Sequence, residues 1–216
     1  MKELTKPAEA SAGAPRRIVI GISGASGVIY GISMLKALAG KGVETHLIIS
    51  ESGKKNIELE TEYRVQDVEA MADRCYSNKD VGAGPASGSF LTEGMVVVPC
   101  SIKTLSGIAN SYNDNLLVRA ADVTLKEKRK LVLVVRETPL HQGHLRLMTM
   151  AADYGAHILP PIPSFYNNPK TIEDIIHQTI GKIFDYLQIR HDLYRRWEGD
   201  DTIDAASSPE KRIHRQ

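Results

Sequence analysis

From position 17 onward, short apolar runs alternate with longer amphipathic stretches. The runs at 18–22, 45–49, 95–98, 130–135 and 157–159 are largely apolar and too short for helices. They predict five strands buried on both faces. The stretches at 28–38, 54–60, 65–75, 102–109, 115–127, 141–154 and 171–187 read as helices. In the third of them Val65, Val68, Met71 and Ala72 recur at helical spacing. Thr171, with an acid three positions later at Asp174, marks the start of the last helix. Positions 77–89 are rich in Gly and Ser and read as loop. Strand–helix alternation of this kind predicts an α/β fold, a doubly wound parallel sheet covered on both faces. A single domain is expected over residues 16–198. Residues 1–15, rich in Ala, Pro and Ser, read as a disordered leader. The polar stretch 199–216 reads as a mobile tail or one used between subunits.

Composition narrows the class. The 216 residues are 42% hydrophobic and 25% charged, as in a soluble globular protein. A formal net charge of +1 counts against a nucleic-acid partner. No apolar run approaches the ~20 residues of a membrane span. The N-terminal stretch has no apolar segment of the secretory kind. Cys75 and Cys100 form no metal or redox motif, so the expected compartment is the reducing cytoplasm.

Candidate chemistry gathers at the strand–helix junctions. The turn Gly21-Ile-Ser-Gly24-Ala-Ser-Gly27 follows the first strand, where helix N-terminal N–H groups attract phosphate. It lacks the Gly-Lys-Ser/Thr of a Walker loop and the glycine spacing of the dinucleotide fingerprint. Phosphate or nucleotide binding and a plain turn are its two readings. Arg119 and Lys126 lie seven residues apart, on roughly one face of a helix, and Arg136-Glu137 follows the fourth strand. Ligands of open parallel sheets bind outside the carboxyl ends of the strands. Two cations and an Arg-Glu pair converging there suggest a phosphate whose departure is managed by an acid. The rival reading is a solvated helix face and a salt-bridged strand end. Segments 86–89 and 99–101 bring small hydroxyl residues to places where a flat ring can approach the backbone, or pack tightly. Cys100 has no nearby His in sequence to activate it. His141 and His144 read as polar helix entry, with no third ligand at metal-site spacing. Tyr166 offers a hydroxyl to an anion or simply packs, and Trp197 among arginines reads as a surface or interface anchor.

At these residues the chain resembles the flavin prenyltransferase family, most of all the branch known by association with non-oxidative hydroxyarylic acid decarboxylases. The matching segments are GISGASGVIYG, the ASGS loop, VVVPCSIKTLSGIANSYNDNLLVRAADVTLKE, LVLVVRETPL and PPIPSFYNNPKTIEDI. The resemblance implies a Rossmann-like, flavodoxin-like subunit assembling into a homododecamer built from trimers. It implies transfer of a dimethylallyl group from dimethylallyl phosphate to reduced FMN at N5 and C6, without metal. The product, prenylated FMN, would serve a UbiD-type decarboxylase. By the same resemblance Gly24, Ala25, Ser26, Ser50, Ser101, Thr104 and Arg119 contact FMN, Arg119 at a subunit interface. Ser87, Lys126, Arg136, Glu137, Tyr166 and Lys182 hold the phosphate, Ser26 and Glu60 handle protons, and Trp197 lines the prenyl pocket. Lys182 departs from the family, where Arg is common, and replaces a fork by a point charge.

The residues suit this chemistry. Arg136, Lys126 and Lys182 would stabilise charge developing on the phosphate, and Glu137 would protonate it. Three rivals stand beside it. A flavin-dependent cysteine decarboxylase needs a His after the first helix region, whereas His46 falls inside a predicted strand. An FMN-binding carrier of a hydroxyarylic acid decarboxylase would have no need of a poised acid. A dinucleotide oxidoreductase is opposed by the glycine spacing.

Overall fold

The apolar runs form the strands of one parallel sheet in the computed structural model, which describes residues 16–197. The expected leader and the expected tail from 199 lie outside the described residues. The strands are β1 (Arg16–Ile22), β2 (Val43–Ile49), β3 (Arg74–Ser77), β4 (Gly94–Cys100), β5 (Lys130–Val135) and β6 (Ala156–Ile158). Their order is β3-β2-β1-β4-β5-β6, with every neighbouring pair parallel. Parallel neighbours need crossovers. These are supplied by α1 (Val28–Leu38), α2 (Glu51–Glu60), α3 (Val65–Glu69), α4 (Ile102–Ala109), α5 (Leu116–Lys126) and α6 (Gln142–Asp153). The fold is the expected doubly wound α/β sheet. Its winding reverses between β1 and β4, which opens a crevice at their carboxyl ends. All seven residues of β4 are buried, as are the last five of β1.

The chain has two compact units, one ending at Pro161 and the other beginning at Ile162. The sheet belongs to the first. The second contains α7 (Ile172–Leu187), entered through the reciprocal Thr171–Asp174 cap that the sequence signals. Ile176, Ile180, Ile183, Phe184 and Leu187 form its buried apolar stripe.

The sheet has six strands rather than five. The helix expected over 65–75 stops at Glu69, and the chain turns into β3. This edge strand is mostly exposed, so it shows no apolar alternation. It is docked instead by polar bonds just before it. Asp73 Oδ2 accepts from the backbone N and the hydroxyl of Thr45, each at 2.8 Å, and Asp73 N donates to Thr45 Oγ1 at 3.0 Å. Those bonds keep the Asp73 carboxyl below its ordinary range.

Helix α1 lies close on the switch point. A Cβ at Gly31 would sit 2.6 Å from Val98 O and 2.9 Å from side-chain carbons of Ile22. Backbone cannot give way there as a flexible side chain can. Gly31→Ala is therefore expected to destabilise the fold by about 1–3 kcal/mol through overpacking. A thermal melt followed by far-UV circular dichroism checks this; an unchanged midpoint would contradict the close packing.

Candidate active site

The β1–β4 ladder ends at the pair Gly21–Val97, and the pairing of β4 with β5 shifts register between Val97 and Cys100, where Pro99 has no N–H to give. Ser23 takes over from the ladder. Its fully buried hydroxyl donates to Pro99 O at 2.8 Å and accepts from Ser101 N at 2.8 Å, while its own N–H reaches Pro99 O at 3.2 Å. Both capacities of the buried hydroxyl are satisfied. Beyond it the chain passes so close to α2 that a Cβ at Gly24 would fall 2.3 Å from Ser52 Cβ. Asn56 Nδ2 holds the turn by donating to Ala25 O at 3.0 Å.

Gly27 ends this turn in the left-handed region, at φ 98°, and opens α1. The helix has no side-chain cap at its own N-cap residue. Glu60 supplies the anion from the far end of α2, its Oε2 accepting from Gly27 N at 2.7 Å and Val28 N at 3.3 Å. The N–H groups that the glycine motif would offer to a phosphate are held by the chain's own carboxylate. Ser26 is exposed beside them.

The next junctions follow one pattern. Ser50, after β2, accepts from Gly53 N at 3.0 Å and caps α2. Ser101, after β4, accepts from Thr104 N at 3.3 Å and donates to Thr104 Oγ1 at 3.1 Å. Each of these hydroxyl residues is half-buried at the carboxyl edge of the sheet. After β5, Arg136 N donates to Cys100 O at 3.1 Å, and its side chain is exposed. Glu137 is exposed and accepts from Thr138 N at 3.0 Å. The salt-bridged strand end is not what forms, since no ion pair links Arg136 and Glu137 among the described residues.

Within one chain the fold separates Lys126 from the Arg136-Glu137 pair. Lys126 ends α5, just before β5 begins at Lys130, whereas Arg136 follows the other end of that strand. Six residues of strand span about 20 Å. Within one chain Lys126 and the Arg136-Glu137 pair therefore stand at opposite edges of the sheet, and the expected convergence does not occur. Helical spacing fixes the side on which Lys126 projects and is silent about which end of the strands it reaches. Its companion is Ser87. Lys126 pairs with Glu127 and holds that carboxyl below its usual range. A Cβ on Gly88 would lie 2.1 Å from Glu127 Oε1 and 2.9 Å from Lys126 Nζ, so the 86–89 loop rests on this pair. Arg129 clamps the same loop, donating to Gly88 O at 2.6 Å and Phe90 O at 2.8 Å. Ser87 and Ser89 share a hydrogen bond of 2.9 Å between their hydroxyls. Arg119, on α5, pairs with Asp122 at 3.0 Å.

In the second unit Tyr166 and Trp197 meet edge to face with ring centroids 6.1 Å apart. The ammonium of Lys182 lies 5.9 Å from the ring centre of Tyr194. Sequence reasoning sees Ser23 only as a hydroxyl of the glycine turn and passes over Asn56, Glu127 and Arg129. Asn56 and Arg129 bind backbone carbonyls remote in sequence and leave no local pattern, while Glu127 pairs with its neighbour Lys126.

His46 is buried in β2, 2.9 Å from the Tyr76 hydroxyl, and burial pushes its pKa down. Cys100 is fully buried, which pushes its thiol up and away from nucleophilic use. His141 caps α6 by accepting from Gly143 N at 3.0 Å. Among the described residues no three His, Cys, Asp or Glu side chains are grouped to hold a metal, and no helix is long and apolar enough to cross a membrane.

The profile of the Flavoprotein family matches residues 7–188. The flavin prenyltransferase UbiX of Thauera aromatica is 56% identical over 192 residues, which are 89% of this chain and 99% of that protein. Among solved structures, AnUbiX (PadA1) in complex with FMN and dimethylallyl pyrophosphate superposes with a TM-score of 0.85 at 45% identity, covering 86% of this chain and 99% of that one. A dodecameric FMN-dependent UbiX-like decarboxylase from Escherichia coli O157:H7 gives 0.83 at 47% identity, covering 85% and 100%.

Replacing Ser23 by Ala leaves Ser101 N–H without its acceptor, while Pro99 O keeps only the backbone N–H of residue 23. The expected cost is about 1–3 kcal/mol, the penalty for a buried polar group left unpaired. Urea unfolding measures it, and an unaltered midpoint would show that Ser23 does not pin the junction.

Proposed function

The chain belongs to the flavin prenyltransferase family, and on that premise we propose that it joins a dimethylallyl group from dimethylallyl monophosphate to reduced FMN at N5 and C6. Phosphate leaves, and the prenylated FMN serves a UbiD-type decarboxylase. The observation that carries the reading is the carboxyl edge of the sheet. There the small residues Gly24 and Ala25, the hydroxyls of Ser50, Ser101 and Thr104, and the exposed Arg136-Glu137 pair border the crevice beside β1 and β4. Such a rim fits a flavin, with hydroxyls for its polar edge and close backbone for its ring.

Reduced FMN, when bound, supplies the nucleophilic ring positions. Gly24, Ala25, Ser26, Ser50, Ser101 and Thr104 hold it, with Arg119 as a further contact. The donor's C–O bond breaks with its electron pair going to the phosphate. Arg136 offsets that charge through a fork, Lys126 and Lys182 as point charges. Ser87 and Tyr166 donate hydroxyl hydrogen bonds, and Glu137 gives the leaving oxygen a proton. Glu60, held by two backbone N–H groups, and Ser26 handle the protons that the acceptor releases. Trp197 offers its ring face to the prenyl group.

The two edges of the sheet add a constraint. Ser87 and Lys126 cannot reach a phosphate held by Arg136 and Glu137 of the same chain without crossing about 20 Å. They reach it from a neighbouring copy, which supports a homo-oligomer whose sites are shared, dodecameric like the solved relative.

Anaerobic incubation with reduced FMN and dimethylallyl monophosphate should yield a flavin heavier by one five-carbon prenyl unit on mass analysis. An unmodified flavin, with monophosphate or diphosphate alike, would leave an FMN carrier. Lys126→Ala and Glu137→Gln should each lower kcat by about 10²-fold or more, the usual effect of removing one transition-state contact. Mixed oligomers of the two variants should regain part of the activity, because some sites then receive both native residues. No recovery on mixing would place the whole site within one chain.

A further inference from the structure

We infer that Asp185 is a positioning residue that fixes the segment returning over α7 and thereby sets Lys182 and Trp197 for the donor; this rests on the function proposed above. Helix α7 ends at Leu187, and Gln188 takes the left-handed conformation, φ 60°. Ile189 N then donates to Phe184 O at 2.9 Å, so the chain doubles back on the helix. Three donors of the returning segment converge on one carboxylate. Asp185 Oδ2 accepts from the Tyr194 hydroxyl at 2.5 Å, and Oδ1 from Arg196 Nη2 at 2.6 Å and His191 Nε2 at 3.0 Å. The His191 side chain is 1% exposed and that of Asp185 27%, so this is no ordinary surface pair. Burial alone would raise the Asp185 pKa. The bonds from Arg196, Tyr194 and His191 outweigh it and keep the group well below the carboxylate range.

The helix is shaped to receive this segment. A Cβ on Gly181 would lie 2.4 Å from the Tyr194 ring, so the ring occupies the notch that this glycine leaves. The next residue is Lys182, with its ammonium 5.9 Å from the same ring centre. Arg196 lies 5.6 Å from that centre as well and joins Tyr194 in binding Asp185. Immediately after Arg196 comes Trp197, edge to face with Tyr166. Tyr194 thus stands between the acid and the cation, tied to one by its hydroxyl and beneath the other by its ring. A lysine reaches its phosphate on a flexible stem without the preset fork of an arginine. An aromatic platform held by Asp185 supplies orientation that the side chain itself lacks.

The test uses the full-length oligomer, with Asp185→Asn and the milder Tyr194→Phe, which keeps the ring and removes one donor. Trp197 is the only tryptophan of the chain, so its fluorescence anisotropy reports the mobility of this segment without any turnover. Asp185→Asn should lower that anisotropy. It should raise KM for dimethylallyl monophosphate by about 10-fold, one decade of affinity. FMN affinity should stay within a factor of ~2, and kcat should fall by less than the ~10²-fold of Lys126→Ala, because Lys182 is displaced rather than removed and the cations of the sheet are untouched. Tyr194→Phe should shift both readouts the same way, by less. Unchanged anisotropy in both variants would overturn the inference, as would a loss of kcat with KM unaltered. Should no prenyl transfer occur even in the unsubstituted protein, the anisotropy still decides whether Asp185 holds the segment.

Discussion

One buried hydroxyl spans the gap where the sheet's own ladder gives out. At the reversal of winding, β1 and β4 have parted after Gly21 and Val97, and Pro99 contributes no N–H. Ser23 bridges both sides of that gap, to Pro99 O and Ser101 N. Several features depend on it together. The position of Ser101 sets the start of α4, and the exit of β1 sets the tight passage of Gly24 past Ser52. Arg136 N then docks on Cys100 O, between the two pinned residues, so the β5 junction is aligned by the same point. A hydroxyl suits this task because it gives and accepts within one small volume.

From that point the geometry of a parallel sheet decides how the chemistry is distributed. Residues that follow strands collect at the carboxyl edge, and residues that end helices collect at the other. Glu60 is an exception that shows the rule. It closes α2, yet a side chain reaching the first turn of α1 returns it to the glycine turn. Lys126 has no such return path and stays with Ser87 at the start of β5. On the function proposed above, the groups divided between the two edges would form a complete set only in an assembly, where each copy offers one edge to its neighbour.

Much of this architecture was legible in the sequence. The buried strands announced themselves as apolar runs, and the capping pair Thr171 and Asp174 announced α7. Edge strand β3 did not, because it is held by the Asp73–Thr45 bonds across 28 positions rather than by an apolar pattern. The hydroxyl residues of the junctions were readable as small and polar, and the structure adds that Ser50 and Ser101 are helix caps. Local periodicity placed Lys126 on a face of its helix and carried no information about which edge of the sheet that helix ends on. The Asp185 cluster was invisible for a related reason. Its members follow no repeat, and only the left-handed turn at Gln188 brings His191, Tyr194 and Arg196 back to the acid.

In the function proposed above, the flavin sits at the Ser23-pinned carboxyl edge between β1 and β4, with Lys126 arriving from another copy. A crystal structure of the oligomer grown with FMN and dimethylallyl monophosphate tests it most directly. The flavin is expected along Gly24–Ser26, Ser50 and Ser101–Thr104, and the donor phosphate between Arg136 of one copy and Lys126 of the next. Flavin bound at the opposite edge, or a phosphate held by groups of one chain alone, would contradict it.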